Sequence, residues 1–274
     1  MKTNKSTRPP FTLHPLPFTL MFLMLLCWSC TDDNVLVERE WEQEPVWEDN
    51  FDGSGAPDAG KWTYDTGYND GWGNSEMQTY TDNPENVTVE DGILKITAIK
   101  NGNAYTSARI KTQGHFETYG RFEARIKLPY GPGLWPAFWM LGADIDSNPW
   151  PGCGEIDIME GKGGEPDKVS CALHGGYPQY SVSKTYGLQN ARFDTDYHIF
   201  AVEWTENCID FFVDDTLYNR VTPDDVAGEW VFNKPFFIIL NVAVGGTFAG
   251  YPTANTPFPQ TMHVDYVRVY KEKN

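Results

Sequence analysis

The run Gly154-Glu155-Ile156-Asp157-Ile158-Met159-Glu160 places three carboxylates in an otherwise apolar, β-prone stretch. Burying unpaired charge is costly, so packing alone does not favour such a pattern. In a regular strand residues two apart share a face, which points Glu155 and Asp157 the same way. Glu160 has the opposite parity. One extra residue at Ile158-Met159, a β-bulge, would return it to the face of the other two. The result is a file of three acids in which two glutamates approach each other across Asp157. Two carboxyls about 5–5.5 Å apart are the apparatus for cleaving a glycosidic bond with retention of configuration. An acid-rich strand can equally be a solvated outer face, so its setting decides. That setting is aromatic: Gly133-Leu134-Trp135-Pro136-Ala137-Phe138-Trp139-Met140-Leu141-Gly142 lies just upstream, and Trp150-Pro151-Gly152-Cys153 leads into the acids.

Such a file of acids needs strands to hold it, and the rest of the chain supplies them. Segments with strand character recur between Gly, Pro, Asn and Asp clusters at 93–99, 120–128, 197–204, 209–213, 236–244 and 263–270. Arg121 to Leu128 alternates polar and apolar residues at period two, as a half-buried strand does. Asp214-Asp215, between Phe211-Phe212-Val213 and Leu217, reads as a hairpin turn. No segment longer than about ten residues carries a 3.6 period, so helix content should be low. Many short strands in 274 residues, with no internal repeat, predict an all-β chain. The expected form is a jelly-roll sandwich of two antiparallel sheets with a concave substrate cleft.

Composition narrows the partners. The formal net charge of −17, from 21 basic and 38 acidic side chains, leaves no basic block to neutralise phosphates and excludes nucleic acid. A neutral polymer such as a glucan remains compatible. The chain has 10 Trp, 14 Tyr and 16 Phe, enough both to fill a core and to offer rings to sugar faces.

The amino terminus reads as a targeting segment. Lys2, Lys5 and Arg8 form a basic region, and Phe18 to Trp28 is an apolar run too short for a membrane span. Ser29-Cys30 follows, then Thr31-Asp32-Asp33-Asn34. This resembles a bacterial lipoprotein signal over 1–29, cut before Cys30, with lipid on that thiol. The acids after the cysteine resemble the surface-export signal of Bacteroidetes lipoproteins, which implies an outer-membrane, cell-surface location. A periplasmic or secreted protein cut nearby is the competing reading. Residues 30–46 are then a lipidated cysteine and acidic tether, and 47–274 the folded domain. Three further cysteines, Cys153, Cys171 and Cys208, match no zinc spacing and are expected as buried free thiols, with a Cys153–Cys171 disulfide as the alternative.

From Trp47 to Tyr270 the chain resembles glycoside hydrolase family 16, on its laminarinase-like bacterial side. The most specific stretch is Glu155-Ile156-Asp157-Ile158-Met159-Glu160 in the six-residue, bulged form. The run from Trp135 to Gly142 and Gly71-Trp72-Gly73-Asn74-Ser75-Glu76 resemble the glucanases of the family. Asn241-Val242-Ala243-Val244-Gly245-Gly246 and Val264-Asp265-Tyr266-Val267-Arg268-Val269-Tyr270 match as well.

The resemblance implies Glu155 as nucleophile, Glu160 as general acid/base and Asp157 as their intermediary. Three crowded carboxyls cannot all ionise cheaply, so one should hold its proton near neutral pH. The resemblance also implies Trp135 and Trp139 as rings that stack on glucosyl units, and Asn74, Arg109, His174 and Asn241 as cleft-lining groups. Plain alternatives stand beside these: a core role for Trp139, a surface salt bridge for Arg109, a structural histidine at 174 and a backbone-bonding Asn241. Phe248 stands where many relatives carry tryptophan. The family often holds one structural calcium ion, mapping here to the backbone carbonyls of Asn50 and Gly92 and to Asp265. Catalysis itself is expected to need no cofactor.

The implied activity is a retaining endo-β-glucanase acting on β-1,3 or mixed β-1,3/1,4 glucan. A non-catalytic surface glycan-binding protein on the same fold, or a hydrolase of anionic galactans, is the alternative. The retained acids speak against the first and the acidic charge against the second. The expected partners are a β-glucan and, through the lipid alone, a membrane, with the chain a monomer. Linkage preference and endo or exo action depend on loop shapes, taken to include 177–189 and 249–259.

Overall fold

The structure, a computed structural model, describes residues 39–273 except 115 and 117. The signal segment 1–29, Cys30 and the first part of the tether lie outside the described residues. In chain order the strands are β1 (Trp47–Asp49), β2 (Trp62–Asp65), β3 (Gln78–Tyr80), β4 (Val87–Glu90), β5 (Ile93–Asn101) and β6 (Ala104–Ser107). Next come β7 (Arg109–Thr112), β8 (Gly120–Lys127), β9 (Leu134–Gly142), β10 (Glu155–Gly161), β11 (Lys168–Gly175) and β12 (Tyr180–Gly187). The last five are β13 (His198–Trp204), β14 (Ile209–Val213), β15 (Thr216–Val221), β16 (Phe236–Val244) and β17 (Gln260–Tyr270). Two short 3₁₀ turns, Asn69–Gly71 and Pro223–Asp225, are the helical elements among the described residues.

Ten strands form one sheet in the order β15-β14-β13-β8-β17-β5-β6-β3, with β1 beside β17 and β4 beside β5. Seven form the other, in the order β12-β11-β10-β9-β16-β7-β2. Pairing is antiparallel except for the short edge strand β3, which runs parallel to β6. The core lies between the sheets because each strand buries alternate residues. Phe122, Ala124 and Ile126 from β8 and Phe200, Val202 and Trp204 from β13 are fully buried in one cluster with Phe138, Met140, Ile156, Ile238, Leu240 and Val242 of the other sheet. The two-sheet jelly roll expected from the strand spacing is the observed fold. Asp214 and Asp215, both at positive φ (47° and 64°), make the hairpin turn between β14 and β15 that their position predicts. Cys153, Cys171 and Cys208 are buried free thiols.

Two expectations change. The stretch 177–189 is not simply a loop: Tyr180–Gly187 is an edge strand paired along its whole length with β11. Its exposed Ser, Lys and Thr residues hide the alternation that marks a two-sided strand.

The boundary at Trp47 also moves, since packing onto the domain has begun by Arg39. The Arg39 guanidinium pairs with Asp210 at 2.8 Å and Glu203 at 3.2 Å, and the Trp41 indole N–H donates to Glu203 at 2.8 Å. Trp41 also pairs with Glu272 through the backbone. Asp210 is fully buried and takes a second, bidentate pair from Arg220 at 2.6 and 2.7 Å. A buried carboxylate needs such partners, which is why a segment of tether-like composition is tied down.

The residues to which the resemblance assigns calcium lie near one another in the register of β17. Along one edge of β17, β5 pairs as far as Val264↔Leu94 and β1 takes over at Val267↔Asp49. Asn50 and Gly92 therefore approach the gap at Asp265, where the β17 register shifts. The Asp265 carboxylate is paired to Arg125 at 2.7 Å, and the Asn50 amide oxygen accepts from Arg268 at 2.9 Å.

Candidate active site

The three acids sit on β10 in the middle of the seven-stranded sheet. Toward β11 the register runs Asp157↔Ala172 and then Glu160↔Ser170, and toward β9 it runs Asp157↔Trp139 and then Met159↔Phe138. One residue is therefore extra between Asp157 and Met159. Ile156, Ile158 and Met159 are all buried in the core. Two consecutive apolar residues can do this only because the strand bulges, and the bulge brings Glu160 back to the face of Glu155 and Asp157.

That face forms the floor of a cleft of about 410 Å³ lined by Glu155, Asp157, Glu160, Trp135, Trp139, Arg109, Asn74 and Asn241, all expected from sequence. His174 completes the group. It lies opposite Glu155 on β11, with Nε2 3.3 Å from Asp157 Oδ2 and 3.8 Å from Glu155 Oε1. Asp157 Oδ2 is buried without a hydrogen bond of good geometry, so His174 attracts it without capping it.

Burial governs the charge state. Desolvation pushes Glu155 up to about 8, aided by the Asp157 charge and opposed by His174 and Arg109. It raises Asp157 as well. Glu160 is held well above the ordinary carboxyl range by burial and by the charges of Asp157 and Glu155. Three raised carboxyls crowded on one face do not all ionise together, so a carboxylate and a carboxylic acid can share the site near neutral pH. Glu155, Asp157 and His174 bring ligand atoms within 4.8 Å of one another. Their places on the paired strands β10 and β11, with Glu155 opposite His174, account for that closeness.

The aromatic residues are hydrogen-bonded as well as exposed to the cleft. The Trp135 indole N–H donates to Glu160 Oε1 at 2.9 Å. The Trp139 indole N–H donates to Asn241 Oδ1 at 2.7 Å, and the Asn241 amide donates onward to the Tyr80 hydroxyl at 3.1 Å. Trp139 is therefore a cleft ring held from behind, and Asn241 bonds side chains rather than backbone. Arg109 is sandwiched between the rings of Trp72 and Trp139, at 4.8 and 4.7 Å, and paired with Asp65 at 3.1 Å. Its largely buried side chain makes it part of the cleft wall rather than a surface pair.

Several lining residues carry no sequence-based role: Trp72, Glu76, Leu141, Ile145 and Trp150. Glu76 is buried, and desolvation raises its pKa although Gln78 and Asn74 both donate to it, at 2.6 and 3.3 Å. Trp150 is 44% exposed, its ring 6.2 Å from that of His174. Trp72, Glu76 and Trp150 fall inside motifs quoted above, and their aromatic or acidic type was the available signal. Phe248 stacks near Trp135 at 5.0 Å, so a ring does occupy that position.

A cleft with paired glutamates of raised proton affinity and rings at its edges is built for glycosidic chemistry, and comparison with known proteins agrees. The chain is 42% identical over 270 residues to a β-glucanase of Rhodothermus marinus, covering 92% of this chain and 93% of that protein. It is 39% identical over 263 residues to glucan endo-1,3-β-glucosidase A1 of Niallia circulans, covering 83% of this chain and 38% of that longer protein. The catalytic domain of an endo-1,3-β-glucanase (laminarinase) from Thermotoga petrophila superposes with a TM-score of 0.80 at 43% identity, covering 86% of this chain and all of that one. Residues 74–268, which carry the three acids and the cleft residues above except Trp72, match the model of glycosyl hydrolases family 16, and the chain belongs to that family.

Proposed function

We propose that this protein is a retaining endo-β-glucanase that hydrolyses β-1,3 or mixed β-1,3/1,4 glucan by double displacement. The observation that carries the reading is the bulge on β10, which sets Glu155 and Glu160 on one cleft face, both with raised proton affinity. In the first half-reaction the Glu155 carboxylate attacks the anomeric carbon while Glu160 protonates the departing glycosidic oxygen. In the second, Glu160 takes a proton from water, whose oxygen attacks the anomeric carbon and releases Glu155. Asp157 and His174 hold Glu155 in orientation, and Trp72, Trp135, Trp139 and Trp150 offer faces to successive sugar rings. Product analysis on laminarin, barley mixed-linkage glucan and cellulose tests the substrate class. Oligosaccharide release from the first two, with cellulose left intact, is expected; no release from any would leave a glycan-binding role.

Three further readings belong to the proposal. Cys30 is lipidated and anchors the protein at the outer membrane, facing outward; Cys30→Ser should move it from the membrane to the soluble fraction. The chain acts as a monomer. A structural Ca²⁺ would be held by the Asn50 and Gly92 carbonyls and by Asp265 after its carboxylate turns from Arg125, tying the start of the domain to its last strand.

A further inference from the structure

The Trp135 indole is fixed from three sides. Its ring packs on Phe248 at 5.0 Å, and its backbone pairs with Ala243 of β16. Ring atoms lie 3.1–3.3 Å from where a Cβ on Gly246 would stand, so the absence of a side chain there is what admits the ring. Held this way, its N–H meets Glu160 Oε1 at 2.9 Å. An indole N–H can only donate. We propose that Trp135 is a positioning residue for the acid/base as well as a sugar-stacking ring: it confines the Glu160 proton to Oε2 and stabilises the carboxylate that the second half-reaction requires. The inference rests on the acid/base role of Glu160 given above.

The proton balance follows from the geometry. While Oε1 accepts from Trp135, the acid form carries its hydrogen on Oε2. That hydrogen passes to the glycosidic oxygen as the bond to the anomeric carbon breaks and the ester to Glu155 forms. In deglycosylation water gives a proton back to Oε2, its oxygen bonds the anomeric carbon, and the ester breaks. Throughout, the N–H of Trp135 stays on Oε1, where it favours the charged form.

The other groups near Glu160 pull in both directions. From β10, Asp157 and Glu155 raise its proton affinity, and His174 on β11 lowers it. Lys162, Glu165 and Lys168 line a small hollow beside Glu160, and Tyr218 of β15 lies within its electrostatic reach. Among the described residues Trp135 is the neighbour with a neutral hydrogen bond to the carboxyl itself.

The test is Trp135→Phe, which keeps a ring and removes the donor. The alkaline limb of kcat/KM should move upward by about one pH unit, the scale of one hydrogen bond to a charged group. On a dinitrophenyl β-glucoside or laminaribioside, whose leaving group needs no proton, formation of the glycosyl-enzyme should change little. Its hydrolysis should slow about tenfold. Trp139→Phe, whose N–H serves Asn241, should leave the alkaline limb in place. An unmoved limb with unslowed deglycosylation in Trp135→Phe would overturn the inference, even if KM rises through lost stacking.

Should Trp135→Phe fold poorly, the unsubstituted protein gives the same answer. The Trp135 indole ¹H–¹⁵N resonance should titrate with Glu160 and stop doing so in Glu160→Gln; a pH-independent resonance would contradict the contact's role. Glu160→Ala assayed on the same glycoside with azide separates the underlying reading. Azide should restore turnover as the β-glycosyl azide, and absence of rescue would remove Glu160 as acid/base regardless of Trp135.

Discussion

At the scale of single residues, the site works because the fold makes three carboxyls uncomfortable. Glu155, Asp157 and Glu160 are shielded from water, which outweighs the pull of His174 and Arg109, so their protons are held more tightly than in the unfolded chain. The sign of the stability consequence follows from proton counting. Between 4.5, the ordinary value of a glutamate, and about 8, folded Glu155 binds more protons than the unfolded chain does. Its favourable contribution is whole below 4.5 and is lost as pH rises toward 8. Glu155→Gln and Glu160→Gln should each lower activity on laminarin by about 10³-fold or more. Each variant should also be more stable than the parent near pH 8, by roughly 1–3 kcal/mol, with the gain shrinking toward pH 4.5. Urea unfolding at the two pH values measures this, and equal or lower stability of both variants at pH 8 would contradict it. The acid limb of the activity profile should lie above the ordinary glutamate range, because Glu155 must first lose its proton.

At the scale of elements, β9, β10 and β16 act as one tool. Pairing of Trp139 with Ile239, and of Ala137 with Asn241, brings the Asn241 amide to the Trp139 indole. Asn241→Ala should raise KM for laminarin about tenfold and lower stability by about 1–2 kcal/mol, since two buried hydrogen bonds are lost. Unchanged KM would show that Trp139 keeps its place unaided. Much at this scale was legible in the chain: the parity break between Asp157 and Glu160 requires a bulge, and the alternation of Arg121 to Leu128 predicts β8. What was hidden has a physical reason. The edge strand β12 exposes Ser, Lys and Thr residues and so resembles a loop. The partners of the indole N–H groups depend on which strands lie side by side, and local pattern carries no record of that. Glu76 reaches the cleft from a segment remote in sequence and Trp150 from the loop that precedes β10, so their type was visible and their placement in the cleft was not.

For the whole molecule, the domain is closed by a latch on the ten-stranded sheet. Arg39 and Arg220 together neutralise Asp210, and Trp41 bonds Glu203 on the neighbouring strand. A short acidic-tether composition conceals this, because the partners lie more than 160 residues away. Arg39→Ala should lower unfolding free energy by about 1–3 kcal/mol, less than full loss of a buried pair because Arg220 remains. Its kcat should stay unchanged, the latch lying on the other sheet from the cleft; a stability change below about 0.5 kcal/mol would show the segment to be loosely held. The charge of −17 bears on substrate choice in the same way. KM for neutral laminarin should barely respond to salt, while a carboxymethylated glucan should bind better as salt screens repulsion.

The central claim is that Glu155 and Glu160 act on one anomeric centre from one cleft face. Proton NMR during the first minutes of laminarin-oligosaccharide cleavage reads this directly, before mutarotation scrambles the products. The β-anomer should form first and drift toward equilibrium, whereas initial release of the α-anomer would mean single displacement by water and would contradict the account.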